Sequence, residues 1–230
     1  MPKKRTLLSW SSGKDSAWSL YQLQQTKDIE VIGLVTTVNQ AFDRVAMHAV
    51  RRQLLQQQAV AAGLPLYIIE IPYPCSNEDY ASRMNQFINQ AVAMETDCFA
   101  FGDLFLEDVR QYREGNLSTT GIKPLFPLWG IPTPKLAQDM IAAGIKAKLT
   151  CIDPNKLNDQ LAGHEYNQTL LDLLPPTADP CGENGEFHTF VYDGPMFHQP
   201  IRIQTGTIKH RDGYIFTDLL PMDATPYPTK

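Results

Sequence analysis

The amino-acid sequence predicts an α/β fold, in which a doubly wound, mainly parallel sheet is followed by a smaller α+β domain. Apolar runs of strand length alternate with helical patterns through the first half of the chain, as they do in βαβ units. Residues 30–38 are apolar or β-branched almost throughout, which is typical of a strand buried on both faces. Residues 119–129 change character, because two prolines exclude a helix there. We therefore predict two domains, 1–128 and 129–230.

The elements of the first domain follow from hydrophobic periodicity and from residues that begin or end helices. In chain order they are strand 6–10, a helix from residue 17, strand 30–38, helix 45–62, strand 66–71, helix 76–94, strand 98–104 and helix 106–114. Gly63 ends the second of these helices, since glycine readily takes the left-handed conformation of a helix C-terminus. Ser76 and Asp79 form the capping-box pattern that begins the third helix.

The elements of the second domain are predicted from the same signals, with prolines and glycines at the boundaries. In chain order they are an extended segment 119–129, helix 133–143, strand 145–152, helix 158–174, strand 186–192 and hairpin 201–220. Thr133 is the predicted N-cap of its helix, with Pro134 in the first helical position, where no N–H partner is needed. Gly144 ends that helix, and the hairpin turns at residues 211–213.

The composition argues against several classes of protein. The chain has 43% hydrophobic and 20% charged residues, which is ordinary for a globular domain. Its formal charge of −5 argues against a sequence-independent nucleic-acid binder, because such proteins need a basic face. The cysteines show no C-x-x-C spacing, so neither a zinc site nor a dithiol redox motif is indicated. No apolar stretch reaches the ~20 residues of a membrane span and no signal-peptide pattern is present, so we expect a cytoplasmic protein.

The segment from Ser11 to Ser16, between the first strand and the first helix, predicts an anion-binding site. Free backbone N–H groups and the positive end of the helix dipole both point at such a loop. Lys14 adds a mobile positive charge, and three serines add hydroxyl donors. Asp15 can cap the helix or reach a hydrated Mg²⁺. The four-residue spacer of a Walker A loop is absent, and an ordinary polar turn is the alternative interpretation.

Three other polar segments are candidates for a functional site. Two of them follow predicted strands, and the third lies far along the chain. Ligands of a doubly wound sheet bind at the carboxyl ends of its strands. Residues 36–39 and the pair Gly102-Asp103 each follow a predicted strand, which brings them to the same rim as the loop. Residues 183–189 contain two carboxylates, an amide, an imidazole and a hydroxyl. These groups could orient an amine, remove its proton or hold Mg²⁺, or they could be solvated charges on a glycine-rich hairpin.

Two motifs carry a resemblance to a known superfamily. The loop SSGKDS resembles the S-G-G-K-D-S loop of the PP-loop ATP pyrophosphatases, or adenine nucleotide alpha hydrolases, at five of six positions. Ser12 replaces the usual glycine, so the backbone there must be accessible to a residue with a side chain. Residues 183–197, ENGEFHTFVYDGPMF, resemble the C-terminal signature of the diphthine–ammonia ligase branch. The resemblance extends over residues 7–197 and implies a HUP/PP-loop nucleotide domain joined to a substrate domain.

The resemblance also implies roles for individual residues. Those that would bind the ATP phosphates are Ser11, Ser12, Gly13, Lys14, Asp15 and Ser16. Those beside the nucleotide would be Thr36, His48, Gly102 and Asp103. The catalytic residues would be Lys14, Glu183, Glu186 and His188. Of the residues of the C-terminal motif, those facing the acceptor carboxylate or ammonia would be Glu183, Glu186, His188 and Thr189. Asp15 would hold Mg²⁺. The motif Met47-His48 belongs to the resemblance, although a half-buried helix histidine is an equal expectation for His48.

The activity implied by the resemblance is ATP-dependent amide formation. A substrate carboxylate would be adenylated with release of pyrophosphate, and ammonia would then displace AMP. The acceptor would be a small molecule or a modified protein side chain, such as diphthine on elongation factor 2. A PP-loop sulfurtransferase acting on tRNA and a non-catalytic ATP sensor are the alternatives; the former predicts a basic substrate domain and catalytic cysteines. The oligomeric state is open, with a homodimer among the options.

Overall fold

The computed structural model describes residues 2–45 and 48–222 of the chain. In chain order, the elements are β1 (Lys4–Ser9), α1 (Lys14–Gln25), β2 (Ile29–Asn39), β3 (Arg44–Val45), α2 (Arg52–Ala62), β4 (Leu66–Ile71), α3 (Asn77–Ala93), β5 (Cys98–Ala100), α4 (Glu107–Leu117), β6 (Lys123–Leu125), α5 (Thr133–Ala142), β7 (Lys146–Ile152), α6 (Gln168–Leu173), β8 (Phe187–Asp193), β9 (Ile203–Arg211) and β10 (Tyr214–Pro221). No helix in the described ranges is long and apolar enough to cross a membrane.

The first sheet confirms the predicted parallel, doubly wound architecture. Strands β4, β2, β1, β5 and β6 pair in that order and all run parallel, while the short β3 pairs antiparallel with the end of β2. Neighbouring residues of β1 pack into different hydrophobic clusters: Leu8 packs with Leu34, and Leu7 packs with Val35 and Phe99. Both faces of the strand are therefore buried, which is why the sequence shows continuous apolar runs.

The strand order places a crevice at the carboxyl ends of β1 and β5. From β1 the chain moves outward through β2 to β4, and then crosses to the other side to form β5 and β6. The loops that follow β1 and β5 therefore diverge in opposite directions and leave a gap between them. The SSGKDS loop and the pair Gly102-Asp103 follow these two strands, as the sequence predicts.

The second sheet is antiparallel, with strand order β8, β7, β10 and β9. The predicted hairpin is confirmed as β9 and β10, joined by Asp212 and Gly213. Both turn residues have positive φ angles, 52° and 82°, as a type I′ turn requires. In β10, Ile215, Thr217 and Leu219 are buried in alternation, so one face of this sheet is covered and the other is partly exposed.

Three predicted helix boundaries are wrong. Val45 lies in β3 rather than in a helix, and α2 begins only at Arg52; Met47, which lies between them, is outside the described residues. Helix 158–174 is replaced by a 3₁₀ turn at Asp159–Leu161 and by α6, because the chain between them pairs with β7. The N-cap of α5 is Pro132, so the predicted cap, Thr133, is the first helical residue.

Candidate active site

The loop between β1 and α1 is held by its own hydroxyl groups. Ser11 Oγ and Ser16 Oγ lie 3.1 Å apart, and Ser16 Oγ donates to the Gly13 carbonyl at 2.9 Å. Gly13 N–H donates to Ser11 Oγ at 3.3 Å. Ser12 is fully buried and has a φ angle of 71°, a left-handed conformation that favours glycine. Ser12 is the position where this chain departs from the S-G-G-K-D-S pattern, and its side chain strains the backbone there.

Strand β8 of the second sheet completes the loop. Lys14 N–H donates to Thr189 Oγ1 at 3.1 Å, and Val191 N–H donates to the Ser12 carbonyl at 3.0 Å. Two segments about 175 positions apart in sequence therefore meet at the first turn of α1. The second half of the chain contributes directly to the shape of the predicted phosphate loop.

Gln58 on α2 joins the same groups, although sequence analysis identifies it only as part of a helical pattern. Its side chain is fully buried. Its Nε2 donates to the carbonyls of Ser12 at 3.0 Å and Val191 at 2.7 Å, while its Oε1 accepts from Trp10 Nε1 at 2.9 Å. One amide side chain thus joins the loop, α2 and β8, and a run of glutamines in sequence does not reveal which member does so.

Lys14 is enclosed rather than mobile, which corrects the sequence-based expectation. Its side chain is 2% exposed, and Nζ donates to both carboxylate oxygens of Asp15, at 3.0 and 2.9 Å, and to the Cys181 carbonyl. The rings of Tyr166 and Phe187 lie 5.5 and 5.3 Å from Nζ. Burial lowers the pKa of Lys14, but the Asp15 carboxylate more than compensates and raises it, so the ammonium stays charged.

A cleft of about 260 Å³ opens beside the loop, at the carboxyl ends of β1 and β5. Most of the predicted site residues line it, namely Ser11, Lys14, Asp15, Ser16, His48, Gly102, Asp103, Glu183, His188 and Thr189. A Cβ atom on Gly102 would lie 3.1 Å from the Asp15 carbonyl carbon, so a glycine allows the two loops to touch. The predicted convergence of the separate segments is therefore observed for these residues.

Glu183 is a carboxylate of the cleft whose pKa is raised by its surroundings. It accepts a hydrogen bond from Leu104 N–H at 2.8 Å. Burial raises its pKa to about 7, against the opposing effect of that hydrogen bond and with a further increase from the nearby Asp15. A carboxylate that titrates near neutral pH in a cleft is suited to general acid–base work.

Two imidazoles form one wall of the cleft. The ring centroids of His48 and His188 are 4.5 Å apart, and His48 Nδ1 lies 3.3 Å from the Thr189 carbonyl oxygen. Burial, and then the charge of Lys14, lower the pKa of His188 to about 4. Burial and the neighbouring His188 lower the pKa of His48 well below its ordinary value. Both rings are therefore neutral at pH 7.

Four predicted site residues lie outside the lining of the cleft: Ser12 and Gly13, which belong to the loop described above, and Thr36 and Glu186. Thr36 is 4% exposed within β2, and no hydrogen-bond partner of its hydroxyl is found in the described part of the chain. Glu186 is 2% exposed, and its Oε1 accepts from Asp179 N–H at 2.9 Å and from Asn184 Nδ2 at 3.3 Å. Glu186 thus fastens the loop that carries Glu183, which corrects the expectation that both carboxylates face the substrate.

Arg113 lines the cleft and was not expected from the sequence. Its Nε lies 3.5 Å from Asp103 Oδ2, and its guanidinium group lies 5.1 Å from the centre of the Phe101 ring. Burial raises the pKa of Asp103, and the charge of Arg113 opposes this effect. On the same helix, α4, Arg110 and Glu114 form an ion pair at 2.8 Å.

A phosphate-type loop at the switch point of a doubly wound sheet, closed by a second sheet, defines a nucleotide-dependent α/β enzyme. The family model for the diphthamide synthase N-terminal domain matches residues 4–124, and the model for the C-terminal domain matches residues 133–219. The chain belongs to the diphthamide synthase family.

Curated relatives agree with this assignment. A diphthine–ammonia ligase of Danio rerio is 28% identical over 226 residues, covering 88% of each chain. One of Schizosaccharomyces pombe is 25% identical over 225 residues, which cover 89% of this chain and 37% of the yeast protein. One of Rattus norvegicus is 32% identical over 107 residues, covering 44% of this chain and 40% of the rat protein. The predicted family and the predicted class, an ATP-dependent carbon–nitrogen ligase of the PP-loop type, are confirmed, and the tRNA sulfurtransferase alternative is not favoured.

Among solved structures, a U34-tRNA thiolase of Methanococcus maripaludis matches with a TM-score of 0.39 and 16% identity. The match covers 62% of this chain and 58% of the thiolase. A similarity of this size carries no argument about function.

Proposed function

We propose that this protein amidates the carboxylate of diphthine on elongation factor 2, with ATP as the activating substrate and ammonia as the nitrogen donor. The acceptor carboxylate attacks the α-phosphorus of ATP, which forms an acyl-adenylate and releases pyrophosphate. Ammonia then attacks the acyl carbon, AMP leaves, and one proton is released. A carboxylate is a poor electrophile, and adenylation supplies the leaving group that it lacks.

The observation that carries this proposal is the meeting of two loops in one cleft. The SSGKDS loop offers backbone N–H groups at the start of α1, a helix of 12 residues, which suits the phosphates of a nucleotide. Glu183 and His188, from the C-terminal loop, line the same space. A nucleotide phosphate and a proton acceptor are thus within reach of one bound substrate, and catalysis would rest mainly on positioning and charge neutralisation.

Each group in the cleft has a role in this scheme. Lys14 would exchange the Cys181 carbonyl for a phosphate oxygen while keeping its contact with Asp15. Glu183, whose pKa is about 7, would take the proton that the attacking ammonia loses. The neutral imidazoles of His48 and His188 would donate hydrogen bonds to the acceptor without adding a competing positive charge.

The carboxylates of the cleft also fit the Mg²⁺ that commonly accompanies ATP. Within the described ranges, no three His, Cys, Asp or Glu side chains are grouped closely enough to hold an ion by themselves. Mg²⁺ usually needs only one or two carboxylates, since phosphate oxygens and water supply the other ligands. Asp15 would be one such ligand, with Asp103 across the cleft as the second, and the ion would neutralise phosphate charge.

The proposal is tested by incubating the protein with ATP, ¹⁵N-labelled ammonium and elongation factor 2 that carries diphthine. Mass spectrometry should detect AMP and an amide product that contains the label. Lys14→Ala should abolish AMP and pyrophosphate, because the buried charge at the phosphates is lost, whereas Lys27→Ala, at an exposed position on the surface, should keep both. An unimpaired Lys14→Ala variant contradicts the assignment, and ATP binding without AMP formation by the wild-type protein would favour the sensor alternative.

Three further predictions from the sequence accompany this function. The division into a nucleotide-binding domain, 1–128, and a substrate-binding domain, 129–230, remains part of the proposal, supported by the change from the parallel to the antiparallel sheet. A cytoplasmic location and a homodimer stay predictions. Fractionation of cells and light scattering of the purified protein, respectively, would test them.

A further inference from the structure

A second concave surface lies next to the cleft, between the β2–β3 turn and the β9–β10 hairpin. It consists of two adjoining hollows of about 240 and 250 Å³, which share Arg44, Ala49, Arg211 and Phe216. We call this surface the basic groove, and the residues that characterise it are Phe42, Arg44, Tyr73, Lys209, Arg211 and Phe216.

The groove carries an excess of positive charge although the protein as a whole carries a charge of −5, since three cations, Arg44, Lys209 and Arg211, line it with two carboxylates, Asp212 and Asp218. The guanidinium group of Arg211 forms an exposed ion pair with Asp212 at 3.3 Å and lies over the rings of Phe42 and Phe216, 4.9 and 4.8 Å from their centres. Lys209 is exposed and forms no ion pair with any residue that the structure describes. Arg44 pairs with Asp218 at 2.9 Å and is only partly neutralised, since Asp218 also pairs with Arg51 at 2.6 Å. The groove therefore attracts a partner that carries carboxylates.

Exposed aromatic rings stand beside these charges. Phe42 and Tyr73 are 42% and 56% exposed, and their ring centroids lie 4.8 Å apart. Aromatic and arginine side chains grouped in this way are typical anchors of protein–protein interfaces. Within the described ranges more than 40% of each of these residues is accessible, so a bound partner could bury both rings.

The groove also contains the edge of a sheet. Strand β9 is terminal in the second sheet, and four of its residues line the groove, namely Thr207, Lys209, His210 and Arg211. The outer edge of β9 has no strand partner in the part of the chain that the structure describes. An edge strand offers backbone N–H and C=O groups at the spacing of another polypeptide strand, which a nucleic acid cannot match.

The groove adjoins the active-site cleft along two short connections. Ala49, which lines the groove, follows His48, which lines the cleft. Cys151, which also lines the groove, pairs across β7 and β8 with His188, which lines the cleft. A chain bound in the groove would therefore lie directly behind the wall formed by the two imidazoles.

We propose that the basic groove docks an acidic, extended polypeptide segment of the protein that carries the acceptor carboxylate. This inference rests on the proposed function, because it takes the acceptor to be a side chain of a protein. Docking at the groove holds the acceptor protein against the enzyme while its modified side chain enters the cleft. The positive charge of the groove favours a negatively charged partner, and the unpaired edge of β9 favours a polypeptide over other classes of molecule.

The test measures direct binding of fluorescently labelled elongation factor 2, by anisotropy, to the full chain in the absence of ATP. Lys209→Glu and Tyr73→Ala should each raise Kd by about tenfold, as expected for the loss of an interface anchor. The matched controls are Lys27→Glu and Tyr112→Ala, which alter an exposed lysine and a 45% exposed tyrosine outside the groove. These controls should leave Kd unchanged, and wild-type binding should weaken with added salt.

The outcomes separate docking from catalysis. An unchanged Kd in both groove variants, or wild-type protein that does not bind elongation factor 2, overturns the docking proposal even if an amide product forms. Weaker binding confined to the groove variants supports docking even if no amide forms, in which case the proposed reaction fails alone. A labelled single-stranded RNA that binds more tightly than elongation factor 2, and is released by the same substitutions, would also overturn the proposal.

Discussion

The two loops that meet in the cleft, residues 11–16 and residues 179–189, are stabilised in different ways. In the first loop the charged group, Lys14, is buried and satisfied by fixed partners. In the second loop one carboxylate, Glu186, is a buried fastener, and another, Glu183, faces the cleft with a pKa near 7. The permanent charge of this site, on Lys14, and its exchangeable proton, on Glu183, therefore come from opposite halves of the chain.

The largest expected effect is that of removing the exchangeable proton. Glu183→Gln should lower kcat by about 10²–10⁴-fold, the usual contribution of a general acid–base group, with little change in ATP binding. Glu186→Gln is the matched control, because a glutamine can still accept from Asp179 N–H. If both variants lose the same activity, the distinction between the two carboxylates is wrong.

The same group predicts a pH dependence. Only the ionised carboxylate accepts a proton, so below the pKa of Glu183, about 7, kcat should rise about tenfold per pH unit and then level off. The profile should be measured at a constant concentration of free ammonia, since ammonium titrates as well. In Glu183→Gln the rise should vanish, and a profile that keeps its midpoint in this variant would assign the titration to another group.

Removing the amide that joins the two halves should mainly affect stability. Gln58→Leu leaves a buried donor of Trp10 and two carbonyls without their partner, so the free energy of unfolding should fall by about 2–3 kcal/mol. Gln53→Leu, at an exposed position on the same helix, is the control and should change it little. Urea unfolding of the two variants measures the difference. Equal free energies of unfolding would mean that the hydrogen bonds of Gln58 do not stabilise the contact between the loops.

Removal of the Glu186 carboxylate, which holds the second loop, should cause a smaller loss of stability. Glu186→Ala deprives two donors of their acceptor and should lower the free energy of unfolding by about 2 kcal/mol. The folded fraction should retain most of its kcat, in contrast to Glu183→Gln. Thermal unfolding and turnover measured on the same sample separate these effects. A stable but inactive Glu186→Ala protein would indicate that Glu186 takes part in catalysis.

The smallest effect should be a gain. Ser12 has a left-handed backbone, and its buried hydroxyl has no hydrogen-bond partner in the described part of the chain. Ser12→Gly should therefore raise the free energy of unfolding by about 1 kcal/mol, since glycine adopts this conformation without steric cost. A fall in Tm would mean that the Ser12 side chain contributes packing that outweighs the strain.

The sequence predicts the parallel sheet well, because strands buried on both faces leave an unambiguous apolar run. It fails at Val45, where an apolar residue continues the helical spacing of α2 but packs as part of β3. It fails again at residues 158–174, where pairing with β7 overrides a weak helical pattern. In both places a tertiary contact, invisible to local periodicity, decides the structure.

The candidate site shows the same limit. The motifs bring the right segments together, but the spacing of Glu183 and Glu186 does not tell which carboxylate points into the cleft. The enclosure of Lys14 depends on Tyr166 and Phe187, which lie more than 150 positions away in sequence. Gln58 stands in a run of similar residues, so only its burial identifies it.

The hydrogen bonds that join the first loop to β8, Lys14 N–H to Thr189 Oγ1 and Val191 N–H to the Ser12 carbonyl, have a consequence for protein engineering. A chimera that joins the nucleotide half of one relative to the acceptor half of another must preserve these contacts, or its phosphate loop loses part of its support. Under the proposed function, acceptor specificity would therefore not be exchangeable as an independent module. Strand β8, which carries His188 of the cleft, also holds the loop of residues 11–16 in shape, so each half of the molecule constrains how far the other can diverge.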